Sequence, residues 1–327
     1  MIVWARVAEI LRARGAAALV SVHAARGSAP REPGARMVVR PDGAFHGTIG
    51  GGRLEWEALA AAGEALGRGR GPARFHDRAL GPDLGQCCGG HVRLLVETFG
   101  VEDLEAVEAL AALEADGAFE VVCRLDGEGR VARTALPEVS SEGATTTPGG
   151  SWLEGLGERR TPLLLFGAGH VGRALVLALA PLPFRVRWID TRPDAFPAAM
   201  PGNAVPVRAE APEAEIAAAP AGAFVLVMTH DHPLDLAITA AALARPDLPF
   251  VGLIGSATKR ARFERRFREL GLAPERIAAL ACPIGIAGVA GKEPAVIAAA
   301  TAAQVLLERE RARDPSRGRA AAATSHP

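Results

Sequence analysis

Two adjacent thiols, Cys87 and Cys88, stand in the glycine-framed run Gly85-Gln86-Cys87-Cys88-Gly89-Gly90. A thiol in such a loop could act as a thiolate nucleophile, a sulfur acceptor or a soft-metal ligand, and its bland alternative is an inert small hydrophobe. A second constellation is Thr229-His230-Asp231-His232. Its imidazoles can contact a bound ligand, and Asp231, Asp235 or the distant cysteines could complete a metal site. The plainer reading is capping, by His230 or Asp231, of a helix that begins near Pro233. Two glycine loops add main-chain N–H groups. Gly47-Thr48-Ile49-Gly50-Gly51-Gly52 lies between a strand and a helix, where consecutive N–H groups form a nest for phosphate unless the run is only a flexible joint. Gly167-Ala168-Gly169-His170-Val171-Gly172 follows the apolar run 163–166 and opens a helix over 173–180. There the first glycine permits a tight turn, the second lets backbone approach a pyrophosphate, and the third lets helix pack on strand. Asp190, about twenty residues beyond, is where an acid would meet a ribose diol. Lys259 and Lys292 are the only lysines in an arginine-rich chain, and both adjoin glycine turns. Either a codon bias left them behind or an ammonium is wanted there for phosphate or oxo charge.

Hydrophobic periodicity supplies the elements that must position these residues. A helix is expected over residues 3–14, a strand over 17–23, a turn over 27–34, a hairpin from 37–40 and 44–49, and a helix over 54–66. Strands at 73–80 and 92–99 flank the cysteine loop, and a helix over 102–115 and a hairpin about Asp126-Gly127-Glu128-Gly129 close a first α+β domain, 1–136. The Ser/Thr/Gly/Pro-rich stretch 137–160 reads as a flexible linker. From 161 to 311, strands at 163–166, 185–189, 204–207, 224–228 and 250–254 alternate with helices. That pattern is an α/β fold with a Rossmann-like, doubly wound parallel sheet in the order 3-2-1-4-5. Its first and fourth strands are neighbours at the switch point, so His230 and His232 should face the Gly167–Gly172 loop. A helix over 293–311 and a disordered tail, 312–327, end the chain.

A chain of 327 residues suits two domains. Its 37 basic and 37 acidic residues argue against nucleic acid or a membrane as partner. The apolar residues of 1–15 are broken by charges at helical spacing, unlike a signal peptide, and no apolar run is long enough to span a bilayer. Four cysteines, two adjacent and two isolated, make no disulfide framework. A soluble cytoplasmic protein is expected.

Seven motifs stand in one order: GSAPREPGARM at 27–37, GTIGGG with Glu55 at 47–55, LGQCCGG at 84–90, FGAGHVG at 166–172, THDH at 229–232, IGSATKR at 254–260, and CPIG with GKEP at 282–294. This order resembles the XdhC/CoxI family of accessory proteins for molybdenum hydroxylases, and LGQCCGG looks most like its XdhC branch, which serves xanthine dehydrogenase. The resemblance implies a homodimeric chaperone rather than an enzyme. Such a protein binds molybdenum cofactor (molybdopterin) as cargo, presents it to a cysteine desulfurase for replacement of an oxo ligand by sulfur, and assists its insertion into the molybdenum subunit of apo-xanthine dehydrogenase. Under it, Gly50, Gly51, Gly52, Gly167, Gly169, His170 and Gly172 would hold phosphate. Gln86, Cys87 and Cys88 would contact the metal end, His230 and His232 would add hydrogen bonds, and Lys259 or Lys292 would neutralise charge. Arg53 stands where CoxI-like members place a cysteine. It can pair with the cofactor phosphate instead.

Two rivals belong to other classes. The glycine fingerprint and Asp190 fit an NAD(P)-dependent oxidoreductase with a nucleotide in the Rossmann domain, although the first domain offers no acid/base set for it. A dimeric scaffold that docks desulfurase and hydroxylase is the other.

Overall fold

The computed structural model describes residues 2–80, 89–136, 146–147 and 150–313. The chain divides into two compact units, Met1–Arg159 and Arg160–Pro327.

The first unit begins with helix α1 (Trp4–Arg14), whose apolar face buries Trp4, Val7, Ala8, Ile10 and Leu11. Its first-turn N–H groups lack a local cap. Glu114 supplies one from a distant helix, accepting from the backbone N–H of Val3 at 2.8 Å and of Trp4 at 2.7 Å. Strands β1 (Ala16–Arg26), β2 (Arg36–Val39) and β3 (Phe45–Gly47), helix α2 (Gly52–Gly67), and strands β4 (Arg74–Ala79) and β5 (His91–Gly100) follow. They form an antiparallel sheet in the order β3-β2-β1-β5-β4. A single 3₁₀ turn (Val101–Asp103) leads into α3 (Leu104–Asp116). Strands β6 (Phe119–Leu125), β7 (Val131–Ala135), β8 (Thr146–Thr147) and β9 (Ser151–Leu156) make a second sheet, β7-β6-β9-β8. The expected linker therefore needs correction: Ser151–Leu156 pairs antiparallel with β6, Trp152 opposite Cys123, and buries Trp152, Glu154 and Leu156. Two cores flank the first sheet. One gathers Trp4, Leu11, Leu19, Leu95, Val121 and Trp152, and the other gathers Val20, Met37, Ile49, Leu54 and Leu94.

The second unit alternates β10 (Thr161–Phe166), α4 (His170–Leu179), β11 (Phe184–Asp190), β12 (Ala204–Arg208), α5 (Ala214–Ala217), β13 (Phe224–Val227), α6 (His232–Leu243), β14 (Phe250–Leu253), α7 (Ala257–Glu269), α8 (Pro274–Ala278) and α9 (Pro294–Arg313). All five strands are parallel in the order β12-β11-β10-β13-β14, the doubly wound 3-2-1-4-5 arrangement. Strands buried on both faces read as continuous apolar runs, as Phe224–Val227 and Phe250–Leu253 do. Helices α6 and α7 cover one face, and α4 and α9 cover the other. Among the described residues no helix is long and apolar enough to cross a membrane.

Candidate functional site

Strand β10 ends at Phe166, and the chain turns into α4 through three glycines whose reasons differ. Gly167 has φ +112°, and a Cβ there would lie 2.2 Å from the Met228 carbonyl oxygen of the adjacent strand. A Cβ on Gly172 would lie 2.1 Å from the Gly167 carbonyl oxygen, so helix and loop pack backbone on backbone. Gly169 has open space around its Cβ position. It precedes α4 without any side-chain cap, which leaves first-turn N–H groups and the positive end of the helix dipole for an anion.

These groups line a crevice of about 340 Å³ with Arg192, Thr229, His230, Ile254 and Pro294. His230 and the glycine loop thus meet at the switch point, as the strand order requires. His232 does not join them. It starts α6, is absent from the crevice lining, and its Nδ1 lies 3.2 Å from Arg262 Nη2. Asp231 is the helix cap, accepting from the Leu234 N–H at 3.0 Å.

Asp190 departs most from expectation. Its buried carboxylate accepts from the Ala168 N–H at 2.7 Å and the Arg192 N–H at 2.9 Å, and two Arg192 guanidinium nitrogens reach it at 2.9 Å. Burial alone would raise its pKa. The Arg192 and Ala168 hydrogen bonds outweigh that and hold it down to about 2. A ribose hydroxyl would compete with donors already in place. Asp190 is therefore a strut that fixes the glycine loop, and Arg192, roughly half-exposed, is the member of the pair that lines the crevice.

Lys259 is likewise committed. Its ammonium donates to Asp235 Oδ2 at 2.5 Å and to the Ile254 carbonyl at 3.0 Å, and it is largely buried. Asp235, fully buried, also accepts from the Thr229 N–H at 3.0 Å and hydroxyl at 2.7 Å. This set locks the β13–α6 loop and corrects the expected charge-neutralising role of Lys259. Lys292 is exposed in the segment before α9.

The Gly50–Gly52 loop also differs from expectation. All three residues have left-handed φ, +128°, +75° and +65°, and a Cβ on Gly50 would strike Pro30 at 2.7 Å. The nest they help to form is filled from within. Glu55 Oε2 accepts from the Thr48 hydroxyl at 2.6 Å, the Ile49 N–H at 3.0 Å and the Gly51 N–H at 3.3 Å. A phosphate expected there finds a carboxylate in its place. Arg53 lies on the exposed side of α2 with Nε 3.2 Å from Glu57 Oε1.

Gln86, Cys87 and Cys88 lie outside the described residues. The ends of their segment are fixed: the Leu80 N–H donates to the Gly90 carbonyl at 2.7 Å, and a Cβ on Gly90 would lie 2.2 Å from the Ser28 carbonyl oxygen. Cys123 and Cys282 are buried, and burial pushes both thiols up, away from thiolate. Among the described residues no three His, Cys, Asp or Glu side chains are grouped to hold a metal. His23, Arg26, Asp77, His91 and Arg93 line a basin of about 410 Å³ in the first unit. Sequence reasoning missed these five, because three separate strands contribute them. Arg192 had a signal: an arginine two residues beyond a strand-ending aspartate.

Family models match at both units: the XdhC Rossmann domain over residues 163–305, and the XdhC and CoxI family over residues 10–76. The chain belongs to the XdhC and CoxI family. Two Escherichia coli proteins are similar to this family member. Uncharacterized protein YqeB is 27% identical over 295 residues, 88% of this chain and 43% of its own length. The molybdenum cofactor insertion chaperone PaoD is 26% identical over 285 residues, 85% of this chain and 79% of its own. The chain thus spans less than half of YqeB. A crystal structure described as a xanthine dehydrogenase from Bacillus halodurans shares the fold, with a TM-score of 0.75, 20% identity, and coverage of 96% of this chain and 97% of that one.

Proposed function

We propose that this chain is an accessory protein for a molybdenum hydroxylase of the xanthine dehydrogenase kind. It binds molybdenum cofactor, presents it for sulfuration by a cysteine desulfurase, and assists its insertion into the apoenzyme. Family membership supports this reading, and so does the similarity, over most of the chain, to a relative named as a molybdenum cofactor insertion chaperone. A phosphate-bearing ligand fits the uncapped α4 N-terminus, which opens on a crevice with Arg192 among its lining residues. Gly167 and Gly172 shape that N-terminus, Gly169 and His170 present it, and His230 lines the same crevice. The ester belongs to the pterin or to a nucleotide. Cys87 and Cys88 are the sulfur candidates for the molybdenum end, with Gln86 beside them. A homodimer, a cytoplasmic setting and a desulfurase partner complete the proposal. No residue is assigned a bond-making role.

The test is mass spectrometry and metal analysis of protein purified from cells that make the cofactor, followed by addition to an apo-hydroxylase. Bound pterin with molybdenum, and faster activation of the hydroxylase, are expected. A protein that carries neither and leaves activation unchanged would sink the reading. The uncapped helix also favours a second reading, a nicotinamide-binding protein, although the engagement of Asp190 removes its expected ribose contact. Titration with NADH, then a screen for hydride transfer, separates the two.

A further inference from the structure

The register of β1 against β5 shifts between Val22 and Ala24, which makes His23 the extra residue of a β-bulge. Bulges bend a strand and re-aim a side chain. The His23 ring stands edge-on to Phe75 at 5.0 Å and to Trp152 at 5.2 Å. Beyond the bulge, Ala24 pairs with Arg93 and Arg93 with Asp77, while Arg26 pairs with His91. Adjacent strands thus set five polar side chains around two small ones, Ala24 and Ala25. The resulting basin of about 410 Å³ is in the range of small-molecule sites.

Its chemistry is not that of a simple anion site. Asp77 Oδ1 is 3.9 Å from His91 Nε2, and Oδ2 is 3.8 Å from Arg93 Nε. Both distances exceed a hydrogen bond, so each oxygen keeps lone pairs for a donor from outside. A bare phosphate would meet this carboxylate among the basin's cations. The Arg93 guanidinium lies 4.5 Å over the Phe75 ring, and its outer face is a flat platform on which another π-system stacks. Burial, with Arg93, outweighs Glu154 and lowers the His23 pKa, so near neutral pH its imidazole offers one donor and one acceptor.

We propose that this basin binds the 2-amino-4-oxopyrimidine ring of a pterin, an edge shared with guanine. Asp77 accepts from the exocyclic amine and the adjacent ring N–H, and the Arg93–Phe75 stack supports the ring. His23 hydrogen-bonds a ring heteroatom, and Arg26 and His91 meet a phosphate on the substituent. The assignment rests on the chain's being a carrier of pterin cargo. It places that cargo in the first unit and leaves the crevice beside α4 to a separate nucleotide.

The test titrates the full chain with neopterin monophosphate, followed by pterin fluorescence, with neopterin, GMP and inorganic phosphate as the other probes. Saturable binding of neopterin monophosphate is expected, weaker for neopterin, with no competition from equimolar phosphate. Asp77→Asn, at a half-exposed position, should weaken it about tenfold, and Arg26→Ala should weaken only the phosphorylated form. Tighter binding of GMP, competition by phosphate alone, or unchanged affinity in Asp77→Asn would overturn it. Pterin content undiminished by Asp77→Asn in protein from cofactor-making cells overturns the basin and leaves the carrier reading intact. A wild-type protein without pterin overturns the carrier reading, and the titration still decides the basin.

Discussion

Glu55 and Asp190 act alike in different units: each places a carboxylate among N–H groups that an anion from outside would otherwise meet. Three donors converge on Glu55 Oε2, so Glu55→Ala leaves the Ile49 and Gly51 N–H groups unpaired. That should lower the stability of the first unit by about 1–3 kcal/mol. Added phosphate should recover part of the loss by entering the vacated nest, which thermal denaturation with and without phosphate reads directly. No response of the variant's Tm to phosphate would show that the nest collapses instead. For Asp190 the sign follows from its depressed pKa. Its contribution to stability is complete above the ordinary value of 3.8 and is lost as pH falls toward about 2. Asp190→Asn should therefore destabilise the protein at pH 7 and flatten the acid limb of its stability profile. An acid limb identical to that of the wild type would contradict the strut.

Element geometry separates two glycines that look equivalent in the motif. Gly172→Ala forces a Cβ onto the Gly167 carbonyl, and a backbone clash of that kind costs about 1–3 kcal/mol or more. Gly169→Ala meets open space, with φ −77° that any residue adopts. The Gly169→Ala variant should keep the wild-type Tm and bind a phosphate ester about tenfold more weakly, because its methyl group stands before the helix N-terminus. Calorimetry and NADH titration of both variants check the contrast. Equal losses of stability would refute it. The β13–α6 loop obeys the same logic: Asp231 caps the helix, and Asp235 with Lys259 ties the loop to the next strand.

Across each unit, separate layers are joined by more than apolar contact. In the first unit Arg133, from β7, makes a bidentate pair with Glu97 of β5 at 2.8 and 2.7 Å and reaches Glu154 of β9 at 3.4 Å, while Arg36 of β2 lies 3.3 Å from Glu154. Burial would raise the Glu154 carboxyl, and the two arginines outweigh it and hold it well below the usual range. Arg133→Met strands the buried Glu97 carboxylate and leaves Glu154 to Arg36 and Trp152, and about 3–5 kcal/mol is the usual cost of an unpaired buried charge. Calorimetry should show that loss, whereas NADH titration of the second unit should be unchanged. A small stability change would mean that water reaches the pair.

The same network explains why one strand escaped the sequence reading. Inward positions on β9 are Trp152, Glu154 and Leu156, and a charge in the middle of the alternation, amid Gly and Ser, hides the strand until Arg133 and Arg36 are seen to balance it. By contrast the glycine turn, the continuous apolar strands and the 3-2-1-4-5 order were legible. They rest on backbone sterics and local periodicity, which short stretches of chain carry in full. Topology then sufficed to bring His230 to the glycine loop. Which donors remain open to a ligand was not legible. Whether Asp190 meets a ribose or Arg192, whether the glycine nest holds phosphate or Glu55, and whether a bulge aims His23 at Asp77 depend on distances of a few ångströms between residues far apart in the chain. Those distances exist only once the layers have packed.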